Sequence, residues 1–274
     1  MPGSVARLRS NAAMPPAIHP LLATAHALAD AAARQSMAYF RQPLEIVTKA
    51  DDSPVTLADR AAEQAMRDVL AAQAPEDGIY GEEHGQQRLD AGRVWVLDPI
   101  DGTRSFITGS PLWGTLIAAF SGGRVELGMI DMPVLGERWI GQDGVAMRNG
   151  QPVRVHGCTR LAEARIVTTS PDIFAPADWA AFDALSRQCA MRRFGGDCYG
   201  YAQLAGGTID LVVETGLQPY DYLGPAGVIE AAGGVITDWE GRPLGLQPDC
   251  RVVAAATPEL HRQALAVLGA AARH

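Results

Sequence analysis

Positive charge is what this chain is short of: 23 Lys and Arg stand against 31 Asp and Glu over 274 residues, a formal net charge of −8. That balance excludes a broad nucleic-acid surface, which needs clustered cations. No apolar run is long enough to cross a bilayer, so the sequence predicts a soluble, cytoplasmic protein without a membrane partner. The stretch from Met1 to Ala17 carries Arg7 and Arg9 but no apolar signal core, and reads as a frayed tail. The four cysteines, Cys158, Cys189, Cys198 and Cys250, show no Cys-x-x-Cys spacing, and the six histidines no His-x-x-x-His pattern. A zinc site and a disulfide framework are thereby disfavoured, and the thiols are expected as reduced packing residues. Internal repeats, low-complexity tracts and linkers are also missing.

What is present is apolar bulk. At 47% hydrophobic residues the chain can bury a large core, as one compact unit or two packed subdomains. Apolar residues at helical spacing predict a helix over residues 20–41 and a second over 56–72, closed by Ala74-Pro75. Five short apolar segments follow: 94–97, 116–120, 125–130, 138–141 and 153–155. Ser121-Gly122-Gly123, Met132-Pro133 and Asn149-Gly150 between them read as turns of an antiparallel meander. From Leu161 strands and helices alternate, with strands at 166–169, 209–213, 235–237 and 252–255 and helices at 177–189, 199–205, 223–232 and 258–268. A seam near Gly157 divides residues 18–156 from 157–274.

The most informative string is Trp95-Val96-Leu97-Asp98-Pro99-Ile100-Asp101-Gly102-Thr103, an apolar strand that runs into two carboxylates. Buried together, Asp98 and Asp101 would repel one another, so the arrangement makes sense around a cation, and hard oxygen ligands point to Mg²⁺. Pro99 keeps the preceding chain extended so that the Ile100 carbonyl can face the same point. Gly102 permits a sharp turn, and Thr103 is expected to cap a short helix through Arg104, Ser105 and Phe106 whose free N–H groups suit phosphate. An isolated Asp-Gly is ordinarily just a turn. Two further acidic turns, Gly81-Glu82-Glu83-His84-Gly85 and Pro219-Tyr220-Asp221-Tyr222, give the string weight. Read singly, the first is a solvated loop and the second a helix cap.

Together with Ala232-Gly233-Gly234, these strings resemble the signature set of the inositol monophosphatase family, in matching order from about Leu44 to the end of the chain. Within it, residues 103–115 and the stretch Arg193-Phe194-Gly195-Gly196-Asp197-Cys198-Tyr199-Gly200-Tyr201 are most similar to histidinol-phosphate phosphatases. The resemblance implies a layered α/β fold, an αβαβα sandwich. It implies two or three Mg²⁺ ions, with Mn²⁺ an alternative, held by Glu82, Asp98, the Ile100 carbonyl, Asp101 and Asp221. Lys49 and Asp59 match a further motif beside the metals. A water oriented by Thr103, with Glu82 or Asp59 behind it, would attack phosphorus directly. Asp101, Gly102, Thr103, Arg104 and Asp221 would meet the phosphate side of a small phosphorylated metabolite, and Arg193, Asp197 and Glu214 its organic half. The acidic pair Asp197 and Glu214 suits an ammonium group, as in histidinol phosphate of histidine biosynthesis, while Arg193 could equally meet a phosphate oxygen or arrive from a partner subunit. A homodimer is implied by the same resemblance. Inositol phosphates, sugar bisphosphates and nucleotide 3′-phosphates are the alternative substrates, and an inactive phosphate sensor or scaffold the non-enzyme one. One departure stands out: Gly224-Pro225-Ala226-Gly227 follows Asp221 where better helix formers would be expected, predicting a looser or shifted helix.

Overall fold

The structure is a computed structural model; it describes residues 20–42, 46–48, 54–247 and 251–271. Lys49 and Cys250 lie outside the described residues. Helix α1 (Pro20–Tyr39) starts on proline, whose missing N–H costs nothing in a first turn. It buries Leu21, Ala25, Leu28 and Ala32 along one face. After strands β1 (Ile46–Thr48) and β2 (Pro54–Thr56), helix α2 (Leu57–Gln73) buries Ala58, Ala62, Met66 and Leu70 at four-residue spacing.

Strands β3 (Gly78–Gly81), β4 (Gln86–Gln87) and β5 (Val94–Asp101) lead to helix α3 (Thr103–Ile107). The meander continues through β6 (Gly114–Ser121), β7 (Arg124–Met132), β8 (Glu137–Gln142), β9 (Val145–Arg148) and β10 (Gln151–Val153). These form one eight-stranded sheet in the order β10-β9-β8-β7-β6-β5-β3-β4. All its pairs are antiparallel except β3 with β5. Strand β9 escapes the sequence pattern, although Asp143-Gly144 before it is a strong hairpin signal.

The second half runs through β11 (Arg165–Thr168), α4 (Pro176–Ser186), β12 (Met191–Phe194), α5 (Tyr199–Ala205), β13 (Leu211–Thr215), α6 (Pro219–Ala231), β14 (Val235–Asp238), β15 (Arg251–Ala255) and α7 (Pro258–Ala271). Its five-stranded sheet has the order β12-β11-β13-β15-β14.

Alternation of side chains decides the layering. On β5, Trp95 and Leu97 face one way, into a core with α1 and α2 that includes Leu28, Met66 and Leu70. Val94 and Val96 face the other way, towards Tyr201 and Leu204 of α5 and Tyr222, Leu223 and Ile229 of α6. The same core reaches Val212 and Val252 of the second sheet. Ile166, Leu211, Val213 and Val253 turn outward onto Phe182 and Leu185 of α4 and Leu260 and Leu268 of α7. Helix pair, sheet, helix pair, sheet and helix pair make five layers, the expected αβαβα sandwich. Among the described residues no helix is long and apolar enough to cross a membrane.

Helix α6 departs from expectation. It runs unbroken from Pro219 to Ala231 with Pro225 inside it. Its glycines serve packing: a Cβ on Gly227 would lie 2.7 Å from the Gly128 Cα, and one on Gly224 would lie 3.0 Å from the Met129 carbonyl oxygen. The intrinsic cost of glycine and proline in a helix is met by backbone-to-backbone approach onto β7, so the helix is tightly seated rather than loose.

Candidate active site

Asp98 and Asp101 are three residues apart, a spacing that puts side chains on opposite faces of a regular strand. The register of β5 on β6 resolves this. Asp98 pairs with Leu116 and Asp101 with Gly114, so one extra residue is inserted between them. The bulge turns both carboxylates the same way. Buried Thr115 donates its hydroxyl to the Pro99 carbonyl at 2.8 Å, and Ile100 packs with Phe40, Ala58, Phe106 and Trp113 beneath.

Asp221 arrives from the first turn of α6, where its Oδ2 accepts the Gln218 N–H at 2.6 Å. Carboxylate oxygens of Asp98, Asp101 and Asp221 lie within 4.8 Å of one another. Burial first, then the Glu82, Asp101, Asp221 and Asp59 carboxylates, push the Asp98 carboxyl well above the usual range. Asp101 is pushed up to about 8 by burial and then by Asp197, against the pull of the Cys198 N–H, which donates to its Oδ2 at 2.7 Å. Asp221 is raised by burial and by Asp101 and Glu82. Asp98 Oδ1 is buried and has no hydrogen-bond partner among the described residues. Three converging oxygens, mutual repulsion and an orphaned acceptor fit a divalent cation with oxygen ligands.

Asp59, at 1% exposure, is buried on the face of α2 nearest this cluster rather than exposed on its helix. Thr103 is not the cap of α3. Gly102 occupies that position with φ 84°, left-handed backbone that glycine adopts freely, and Thr103 is the first helical residue. Its hydroxyl donates to the Ile100 carbonyl at 3.3 Å. Arg104 is exposed on α3.

Beside the triad is a cavity of about 80 Å³ lined by Asp101, Asp197, Glu214 and Asp221 with Thr169 and Tyr201. Asp197 takes left-handed backbone, φ 46°, and its Oδ2 accepts the Ser105 hydroxyl at 2.6 Å rather than capping α5. Burial raises both the Asp197 and Glu214 carboxyls. Arg193 is not brought here: it sits exposed on the edge strand β12 and does not line the cavity.

Sequence reading missed the support of the Glu82 turn. Glu63 is fully buried on α2, and its carboxylate accepts the Glu83 N–H at 2.6 Å and the His84 N–H at 3.2 Å while pairing with Arg67 at 2.7 Å. A Cβ on Gly81 would crowd that carboxylate, so a glycine before Glu82 lets Glu63 keep its hold on the turn. The available signal was Glu63-to-Arg67 at i,i+4, which looks like any surface pair.

Comparison with known proteins places this geometry in context. Residues 17–272 match the model of the Inositol monophosphatase family. The chain is 45% identical over 253 residues to "Bifunctional phosphatase IMPL2, chloroplastic" of Arabidopsis thaliana, covering 89% of this chain and 73% of that protein. It is 38% identical over 226 residues to a histidinol-phosphatase of Chlorobaculum parvum, covering 81% of this chain and 87% of that one. A solved structure of an inositol monophosphatase from Zymomonas mobilis superposes with a TM-score of 0.83 at 46% identity, covering 90% of this chain and 96% of that one. An acidic triad at a strand bulge, completed from a helix of the other half of the chain, therefore sits in a protein that belongs to the inositol monophosphatase family and is a phosphoric monoester hydrolase.

Proposed function

We propose that this enzyme hydrolyses L-histidinol phosphate to L-histidinol and phosphate with Mg²⁺, a step of histidine biosynthesis. The observation that carries the reading is the position of Asp197 and Glu214. Both line the cavity next to Asp101 and Asp221, so the organic half of the substrate meets carboxylates. An ammonium group, which brings three donors and a positive charge, answers that wall more strongly than a neutral polyol, whose hydroxyls bring no charge. The histidinol-phosphatase name of the Chlorobaculum relative supports the same choice.

Glu82, Asp98, the Ile100 carbonyl, Asp101 and Asp221 are the residues that would hold Mg²⁺ or Mn²⁺ in this reading. When bound, the cations supply water acidified towards neutrality and neutralise charge on the phosphoryl oxygens and leaving group. The chain does the rest. Thr103, at the start of α3, orients the attacking water, and Glu82 with Asp59 behind it takes up the proton. Free N–H groups of Gly102, Thr103 and Arg104 at the same helix start hold phosphate oxygens. Asp197 and Glu214 fix the amine, which sets the ester in line for displacement. No side chain of the triad is needed as a nucleophile, so no covalent phosphoenzyme forms.

A second reading has one observation in its favour: the Zymomonas structure at 46% identity is named an inositol monophosphatase. Phosphate release with Mg²⁺ from L-histidinol phosphate, inositol 1-phosphate, fructose 1,6-bisphosphate and adenosine 3′,5′-bisphosphate separates the two. We expect kcat/KM for histidinol phosphate to exceed the others by about a hundredfold, roughly 2.7 kcal/mol. A flat profile or a preference for the inositol ester overturns the substrate.

A further inference from the structure

Glu214 is 4% exposed, yet no lysine or arginine pairs with it among the described residues. Three neutral donors hold it instead. Its Oε1 accepts the Thr169 N–H at 2.9 Å and the Thr169 hydroxyl at 2.5 Å, and its Oε2 accepts the Tyr201 hydroxyl at 2.8 Å. A carboxylate oxygen has two lone pairs, so Oε1 is saturated and Oε2 keeps one site open.

The other donors around the cavity are committed in the same way. The Cys198 N–H goes to Asp101, the Gln218 N–H to Asp221 and the Ser105 hydroxyl to Asp197. Cys198 also lines it, its thiol donating to the Met132 sulfur at 3.7 Å, and the side chains of Ile173 and Leu217 are apolar. The side chains that face this space are therefore mainly carboxylate acceptors, and the Thr169, Tyr201 and Cys198 side-chain donors among them are already used. A sugar hydroxyl needs both donors and acceptors around it; a primary ammonium brings three donors and no acceptor.

We propose that Thr169 and Tyr201 are specificity-positioning residues: together they turn Glu214 so that the open site on Oε2 receives the ammonium group of an amino-alcohol phosphate. This deepens, and rests on, the reading that the substrate carries an amine near its phosphate ester. Tyr201 and Thr169 act through Glu214 and touch no reacting atom.

The test compares L-histidinol phosphate with its deamino analogue, 3-(imidazol-4-yl)propyl phosphate, using the full chain with saturating Mg²⁺. The amino-to-deamino ratio of kcat/KM is measured for the wild type, Tyr201→Phe, Thr169→Val and Thr169→Ser. In Tyr201→Phe the ratio falls about tenfold, with the loss in KM for the amino ester. Thr169→Val lowers it less, because the backbone N–H stays, and Thr169→Ser restores it. Equal losses on both esters in Tyr201→Phe and Thr169→Val assign these residues to the fold alone and overturn the proposal. If Tyr201→Phe does not fold, the Val and Ser variants at Thr169 decide on the same criterion. A wild type that makes no distinction between the esters overturns the amine reading itself. A wild type that does, with variants that keep its full preference, overturns only the role of Thr169 and Tyr201.

Discussion

Glu63 on α2 and Asp98 on β5 are both shut off from solvent, at 0% and 1% exposure, yet their surroundings differ. Glu63 is surrounded by what a buried carboxylate needs: the Arg67 guanidinium and two backbone N–H groups. Asp98 is surrounded by four other acids and keeps an oxygen without a partner among the described residues. Folding alone satisfies the first group. The second is not satisfied by any described residue, and that difference is what a cation-holding acid would show beside one that only braces the fold.

The contrast breaks most visibly under substitution at Asp98. Asp98→Asn is expected to lower kcat/KM by more than about a hundredfold and to weaken Mg²⁺ binding, since in the proposed reading it deletes a charged ligand. The same change should raise the melting temperature of the EDTA-treated protein, because the amide relieves repulsion. A lower melting temperature for that variant without metal would put Asp98 in the same class as Glu63.

Acidity sharpens the comparison next. Asp101, at about 8 against an ordinary 3.8, keeps its proton in the folded chain over a range where the unfolded chain has lost it. Stability of the metal-free protein therefore falls as pH rises from about 4 to about 8, by up to ~1.4 kcal/mol per pH unit for this proton. In the proposed reading saturating Mg²⁺ takes the place of the proton, and the slope is expected to vanish. Urea unfolding at pH 5 and pH 8, with EDTA and with Mg²⁺, reads both effects; metal-free stability that rises over this range contradicts the account.

The smallest effect on the site itself is at the anchor. Glu63→Gln removes the charge that Arg67 answers and is expected to destabilise the protein by about 3 kcal/mol with or without metal. Mg²⁺ affinity should drop only about tenfold, through looser placement of the Glu82 turn. Calorimetric titration of Mg²⁺ measures the latter, and unchanged stability would mean the turn does not depend on Glu63.

Much of this was legible in the residues. An apolar strand ending in Asp98-Pro99-Ile100-Asp101-Gly102 stands out because few structural roles need two acids at a buried strand end, and the long helices and the meander follow from periodicity. What was hidden is hidden for identifiable reasons. Gly78–Gly81 is a strand of four residues, two of them glycine, with no alternation to read. Strand β12 is an exposed edge, Met-Arg-Arg-Phe, and lacks a buried face. Thr103 looked like a cap because the left-handed turn at Gly102 sets the helix start by backbone geometry rather than by residue preference. The grip of Thr169 and Tyr201 on Glu214 joins three elements distant in sequence, which no local pattern records.

The glycine contact between α6 and β7 carries a consequence for how the protein is made. Two members of the acidic triad belong to one strand and the third to a helix much later in the chain, so the cage exists only once that helix has docked. Closing so long a loop is entropically slow, and the incoming Asp221 works against it by adding charge to charge. Close approach of the Gly227 and Gly224 backbone to Gly128 and Met129 lets packing contact favour what electrostatics resists. A divalent ion held as proposed would then act during refolding as a selector for the docked state, binding the assembled cage and not its separate halves.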